Sequence, residues 1–313
     1  MQSFLGHTDT LLNFFKSNQY SFQKENKSFQ IDLPRLKKGM VSIQVFAIYV
    51  EEENKPDLAL KRTIQIIDRF YQLLEQTEQL ELIREYADVE RVLSQGKIGA
   101  ILSIEGAEAV FDLSALRILH RLGVRMIQLT WNQRNQLADG VGELAANGGV
   151  TLLGREVIKE MNKLDIIIDV SHLAPTSFWD VIKFSEKPAI ASHSNCYTIC
   201  PHPRNLTDQQ IIALAEKGGH VGINFAPFLL NKNGKTEIND VINHIDYIRG
   251  LVGKRHISLG TDYDGISSTP SGLEDVGKLS NLHRALTQKG YSHQDIEDVF
   301  INNWLNFLKK WWD

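Results

Sequence analysis

A (β/α)8 barrel is the fold class that the sequence predicts, and three observations carry the prediction. Eight short apolar runs recur along the 313 residues, and longer helical patterns separate them. The runs are near-continuous rather than alternating, as in parallel strands covered on both faces. No glycine-rich phosphate turn follows an early run, which disfavours an open doubly wound sheet. No Pro/Gly/Ser-rich linker divides the chain, so residues 1–313 are expected to form one domain.

The first run is only Phe4-Leu5. It is followed by 41–50, 100–104, 124–129, 166–170, 189–192, 221–225 and 257–260. Between the runs, Leu60, Ile64, Ile67, Tyr71 and Leu74 fall at steps of four and three and predict one apolar helix face. Leu153, Val157, Met161 and Leu164 repeat that spacing after Thr151. Thr207-Asp208-Gln209-Gln210 is a capping box, with the threonine accepting from the third amide and the glutamine reaching back. The helix it opens is expected to stop at Gly218-Gly219. Ile296, Val299, Phe300, Trp304, Phe307, Leu308 and Trp311 predict a last amphipathic helix.

Charge and composition exclude whole classes of function. Thirty-four Lys plus Arg against 38 Asp plus Glu leave a net charge of −4, with no general attraction for nucleic acid or anionic lipid. No run approaches the roughly 18 apolar residues of a membrane helix. The 2 cysteines cannot build a disulfide framework. The first residues lack the basic and apolar regions of a secretory signal, and residues 304–313 lack a cleavable hydrophobic tail. A cytoplasmic protein is expected.

The chemistry-bearing residues stand where the runs end. His7 and Asp9 follow Phe4-Leu5-Gly6, and Glu105, His172, His193 and Asp262 each close a later run. In a barrel, groups at the carboxyl ends of strands converge on one mouth. A polar side chain just after a buried run is costly unless something binds it. Imidazole and carboxylate without a strand-end thiolate suit zinc or another borderline divalent metal. Three histidines and three carboxylates exceed one tetrahedral site and suit two metals sharing a bridging carboxylate. The other histidines differ. His120, His244, His283 and His293 fall in helical patterns and are expected at the surface, while His220 and His256 precede their strands.

Two further readings compete for parts of this set. His193, Cys196, Cys200 and His202 could form a compact structural zinc site, although the spacing is loose, and two reduced loop cysteines are the plainer reading. Ser171-His172 and Ser192-His193 suggest a serine nucleophile only weakly. Adjacent strand side chains point to opposite faces, and no G-x-S-x-G elbow occurs.

The strings Gly6-His7-Thr8-Asp9, Ser103-Ile104-Glu105-Gly106, Ile168-Asp169-Val170-Ser171-His172, Ser192-His193-Ser194-Asn195 and Gly260-Thr261-Asp262-Tyr263-Asp264-Gly265, in that order, resemble the renal (membrane) dipeptidases, peptidase family M19 of the metal-dependent amidohydrolase superfamily. The match runs from residue 6 to about residue 275. The resemblance implies a (β/α)8 barrel that hydrolyses dipeptides with a hydroxide bridging two zinc ions per chain. It implies His7 and Asp9 on one zinc, His172 and His193 on the other, and Glu105 as the bridge. It further implies Asp262 as the acid/base and Arg204 as the clamp on the substrate's terminal carboxylate. The family often accepts a D-residue at the C-terminal position and is often dimeric; Trp304, Trp311 and Trp312 could serve an interface or cap the barrel.

One position departs from the family pattern. Many members carry a histidine after the Leu-Thr of the fourth strand, where it polarises the scissile carbonyl; here Leu129-Thr130 leads into Trp131-Asn132. Trp131 and Asn132 are read as substrate-binding, with Asn132 or Asn135 as stand-in donors, and Trp131 reads equally as a packing residue. The acidic stretch Glu51-Glu52-Glu53 could meet a substrate's α-amine or simply be a solvated charge run. Another amidohydrolase-type activity and a catalytically weakened peptide- or metal-binding paralogue are the competing functions. The absence of a paired H-x-H on the first strand argues against the former, and the full ligand set against the latter.

Overall fold

The computed structural model describes residues 2–16, 21–233 and 235–312. Its strands are β1 (Ser3–Leu5), β2 (Val41–Tyr49), β3 (Leu80–Leu82), β4 (Ile98–Glu105), β5 (Val124–Gln128), β6 (Ile167–Asp169), β7 (Val221–Asn224) and β8 (Ile257–Thr261). A parallel ladder runs β1-β2-β4-β5-β6. It continues through residues 189–192 by single bridges, Asp169 to Ile190 and Ala191 to Val221. β7 pairs with β8, and the circle closes where the Gly6 amide donates to the Leu259 carbonyl at 2.8 Å. The expected (β/α)8 barrel is present.

Two departures from the expected strands have physical reasons. Residues 189–192 make only bridges because the Ser192 amide donates instead to the Asp169 carboxylate at 2.9 Å. β3 was not anticipated; three residues are too short to show a period, and it pairs only with the first half of β4.

The helices follow their capping chemistry. Thr151 caps the helix Leu152–Lys163 by accepting from the Gly154 amide, and Val157 and Met161 are buried as the spacing requires. The Thr207–Gln210 box opens the helix Asp208–Glu216, which ends at Lys217 before Gly218 at φ +85°. In the helix Ala59–Gln76 the buried stripe is Ala59, Thr63, Ile66, Ile67, Phe70 and Leu73. The expected face is therefore rotated, and Ile64 lies exposed. Phe70 sets the rotation by packing on Phe46 of β2, ring centres 5.6 Å apart.

The terminal segment closes the amino end of the barrel. A π-helical turn Asp298–Asn302 runs into the helix Asn303–Trp312. Trp304 is buried and stacks on Phe4 at 4.5 Å, so close to the chain that a Cβ at Gly6 would come within 2.7 Å of the indole. Trp311 and Trp312 both donate to the Asp165 carbonyl at 3.0 Å. Trp304 and Trp311 are thus buried in the chain's own core. His244, expected at the surface, is fully buried: its Nδ1 meets the Cys196 amide at 3.1 Å and its Nε2 the Leu230 carbonyl at 3.0 Å. A helical pattern places a histidine on a helix without telling which face it takes. Among the described residues, no helix is long and apolar enough to cross a membrane.

Candidate metal centre

The carboxyl ends of β1, β4, β6 and β8 bring together the residues singled out in the sequence. His7 and Asp9 leave β1, and the Asp9 amide is fixed by the Tyr263 carbonyl across the seam at 3.0 Å. Glu105 is the last residue of β4. His172 follows β6 in a left-handed conformation, φ +70°, and Asp262 follows β8 at φ +64°. Such conformations cost roughly 1–3 kcal/mol for a non-glycine residue and persist where the surroundings enforce them, commonly at functional sites.

Glu105 lies between two groups of candidate ligand atoms. One oxygen, Oε2, is 3.5 Å from His7 Nε2, whereas the other, Oε1, is 3.0 Å from His172 Nε2 and 3.7 Å from His193 Nε2. On the first side, Asp9 Oδ2 is 3.5 Å and Asp262 Oδ1 3.9 Å from His7 Nε2. Two overlapping sets, His7–Glu105–His193 and His7–Asp9–Asp262, have ligand atoms within 4.8 Å of one another. Cys196 and Cys200 belong to neither and are buried free thiols. The compact His/Cys zinc site is therefore not formed.

The donor atoms fit a cation better than they satisfy one another. His172 Nε2 and His193 Nε2 face each other at 3.0 Å. Asn132 Oδ1 accepts from His172 Nδ1 at 2.8 Å, which leaves a lone pair on that Nε2. His7 Nε2 is buried without a hydrogen-bond partner. Gln128 faces His7 Nδ1 at 3.2 Å while its own buried Oε1 has no partner. With that amide turned by half a turn, Oε1 accepts from His7 Nδ1–H, which leaves the Nε2 lone pair facing Asp9 and Glu105.

Charge balance agrees. Burial opposes a charged His7, yet Glu105 and Asp9 raise its pKa well above the ordinary value. Burial would raise Glu105, but His7 and His172 hold its carboxyl well below the usual range. Burial, then Arg204, lowers His172 to about 3, and burial with His7 and Arg204 lowers His193. Two neutral imidazoles beside acidic groups are the ligand chemistry that zinc and similar divalent ions take.

The rest of the mouth is a cavity of about 520 Å³ lined by Tyr49, Glu105, Trp131, Asn132, His172, Arg204, Asn224, Phe228, Asp262 and Ile266, among others. Arg204 is buried, with Nη1 3.4 Å from Ser194 Oγ and Nη2 3.2 Å from the His193 carbonyl. Asn224 donates to Asp262 Oδ2 at 2.9 Å, leaving Oδ1 turned toward His7. Trp131 packs edge-on to Tyr49 at 5.3 Å and lies 5.9 Å from the His172 ring, so it is a wall of the cavity. Asn135 is committed to its own loop: its Nδ2 donates to the Leu129 carbonyl at 2.7 Å, and its Oδ1 accepts from the Leu137 amide at 2.8 Å. Of the acidic stretch, Glu52 is paired with Lys55 at 3.1 Å and Glu53 is exposed. The serines beside the histidines are buried and hydrogen-bonded, Ser171 Oγ accepting from the His193 amide at 3.2 Å. Sequence reasoning missed Tyr49, Gln128, Asp169 and Asn224. All four are the last residues of β2, β5, β6 and β7, the same strand-end signal that marked the ligands.

A barrel with this donor set at its carboxyl mouth is a metal-dependent hydrolase of the amidohydrolase type. Comparison with known proteins makes the assignment specific. The sequence profile of the membrane dipeptidases, peptidase family M19, matches residues 1–311, and the chain belongs to that family; it is a metallodipeptidase. The dipeptidase tcpJ of Claviceps purpurea is 32% identical over 93% of this chain and 73% of its own length. The dipeptidase aclJ of Aspergillus oryzae is 34% identical over 97% and 76%. A metallo peptidase from Rhodobacter sphaeroides, solved with a phosphinate mimic of the dipeptide L-Ala-D-Ala, superposes with a TM-score of 0.95 at 28% identity, covering 100% of this chain and 99% of that one.

Proposed function

We propose that the chain hydrolyses free dipeptides with two zinc ions, one held by His7 and Asp9, the other by His172 and His193, and both by Glu105. The observation that carries this reading is the division of the two Glu105 oxygens between His7 and the His172–His193 pair. Zinc bound there would activate a water as hydroxide near neutral pH and polarise the scissile carbonyl.

The chain's own residues do the rest. Asn224 anchors one oxygen of Asp262 and leaves the other free to take a proton and return it to the departing amine. Burial raises the Asp262 pKa above its ordinary value against the opposing effect of His7, and Glu105 adds to the rise, so the carboxyl is suited to carrying a proton. Arg204 pairs with the terminal carboxylate and thereby selects dipeptides. Asn132, anchored through Oδ1 to His172, has its Nδ2 without a protein partner among the described residues and lines the cavity. It takes the place of the missing histidine as donor to the scissile carbonyl, with Trp131 as the apolar wall. The ligand of the Rhodobacter enzyme supports acceptance of a D-residue at the C-terminal position. Two buried, unpaired cysteines suit a reducing cytoplasm.

Zinc content measured beside turnover of L-Ala-D-Ala, L-Ala-L-Ala and their amides tests the reading. Two zinc ions per chain with hydrolysis of the free dipeptides alone is the expected result. Zinc binding without turnover would make the chain a weakened paralogue, and cleavage of other amides or of lactones would make it a different amidohydrolase.

A further inference from the structure

Behind the His172–His193 pair lies a buried carboxylate that touches no ligand. Asp169, the last residue of β6, is fully buried. Its Oδ1 accepts from the Ser171 amide at 2.9 Å and from the Ser192 amide at 2.9 Å. Its Oδ2 accepts from the Ser192 hydroxyl. Burial pushes its carboxyl above the ordinary range, and the three donors that converge on it oppose that rise and favour the acceptor-only carboxylate. Ser192 Oγ in turn lies 2.8 Å from His193 Nδ1.

A serine hydroxyl has one proton. Because Ser192 gives it to Asp169, Ser192 Oγ can only accept from His193, so the imidazole proton sits on Nδ1 and the lone pair on Nε2. Metal-bound histidines commonly give their second ring N–H directly to a carboxylate or a carbonyl, which fixes the tautomer and orients the ring. Here the carboxylate acts one hydroxyl away.

We infer that Asp169 is a positioning residue that acts through Ser192 to hold His193 in its metal-binding tautomer, and that the pair sets the affinity of the second metal position selectively. The inference rests on the two-metal reading above. Asn132 does the same service for His172 through a carbonyl oxygen, and Gln128 stands in the corresponding place behind His7. The second position thus depends on two neutral groups and one buried charge, and the charge is the one that dictates polarity.

Asp169→Asn keeps the shape of the side chain and reverses that polarity. To keep its two backbone bonds, the asparagine must turn its oxygen to the amides and its NH2 to Ser192 Oγ. The hydroxyl proton then points at His193 Nδ1 and moves the ring proton to Nε2, where it blocks ligation. Ser192→Ala removes the link while leaving the backbone bonds of Asp169 in place, and Ser192→Thr restores a hydroxyl.

Zinc affinities are read by competition with a chromophoric chelator, and the His193 tautomer by ring 15N shifts of the zinc-loaded protein. Loss of a group that hydrogen-bonds a metal-bound histidine commonly costs roughly 10–100-fold in metal affinity. One of the two zinc affinities should fall by that factor in Asp169→Asn and Ser192→Ala, recover in Ser192→Thr, and leave the other affinity unchanged. Melting of the metal-free proteins shows whether a loss is merely structural, and Ser192→Ala is the variant expected to melt as wild type does. Wild-type protein that binds fewer than two zinc ions overturns the two-metal reading itself. Two wild-type affinities that persist in both Asp169→Asn and Ser192→Ala overturn this inference alone.

Discussion

Replacing Arg204 separates recognition of the substrate's end from chemistry at its centre. Arg204 is only 7% exposed, and its contacts to Ser194 and the His193 carbonyl use two of its nitrogens. The other N–H groups remain for a ligand, and Arg204 is the one arginine or lysine lining the catalytic cavity among the described residues. A substrate carboxylate that loses this partner stays in the cavity desolvated, at a cost of roughly 2–5 kcal/mol. At 1.4 kcal/mol per factor of ten, that is a rise in KM of roughly 30- to 4,000-fold for a free dipeptide. Arg204→Met, which keeps the volume of the stem, should show this rise with kcat much less affected. The amidated analogue never had the partner and should change little. Steady-state kinetics of both substrates on both proteins measures the difference. An equal loss on the two substrates, or wild-type enzyme that cleaves tripeptides as readily as dipeptides, would refute the carboxylate clamp.

Other substitutions probe other parts of the site. Asp262→Asn should retain both zinc ions and lose about 10²- to 10⁴-fold in kcat, the usual worth of general acid–base catalysis; near-normal turnover would assign the proton transfer to another group. Gly265→Ala would bring a Cβ within 2.1 Å of Asp9 Oδ2 and 2.8 Å of Asp262 Oδ1, so zinc affinity should fall while the metal-free melting temperature barely moves. His220, beneath the barrel, has its pKa lowered to about 3 by burial and, secondarily, by His256. An unfolded chain binds that proton near pH 6.5, so the stability present above pH 6.5 drains away as pH falls toward 3, by about 2 kcal/mol at pH 5. His220→Leu should therefore lose less stability between pH 7 and pH 5 than wild type does, which urea unfolding at the two pH values will show.

The alternation of runs and helices revealed the barrel because parallel strands buried on both faces need continuous apolar sequence, as in β2 and β4. Residues 189–192 and β3 escaped accurate reading for opposite reasons. The first has strand sequence but spends an amide on Asp169; the second has a ladder but only three residues. In the site, strand-end histidines and acids were visible because metal chemistry favours those residue types. The groups hydrogen-bonded to them or behind them, Gln128, Asp169, Ser192 and Asn224, occupy equivalent or adjacent places yet are ordinary polar residues, and only distances reveal the contacts. Asn132 and Asn135 look alike in sequence; their hydrogen bonds alone distinguish the residue facing the cavity from the one holding the loop. The buried His244 and exposed Ile64 show that periodicity assigns a helix more securely than its rotation.

The seam between β8 and β1 carries a consequence for how the protein is made. The Thr261 hydroxyl donates to the His7 carbonyl at 3.3 Å across 254 positions of chain, and Trp304 lies under Gly6 and against Phe4. A ribosome delivers His7 and Asp9 long before their neighbours on β8 and the helix Asn303–Trp312. Until then β1 has β2 on one side and nothing on the other, so the His7 side of the mouth exists in sequence long before it exists in space. The two sides of the seam therefore meet only after β8 has been made, and a stop codon anywhere before residue 262 yields a product without Asp262 and without the contact that closes the barrel.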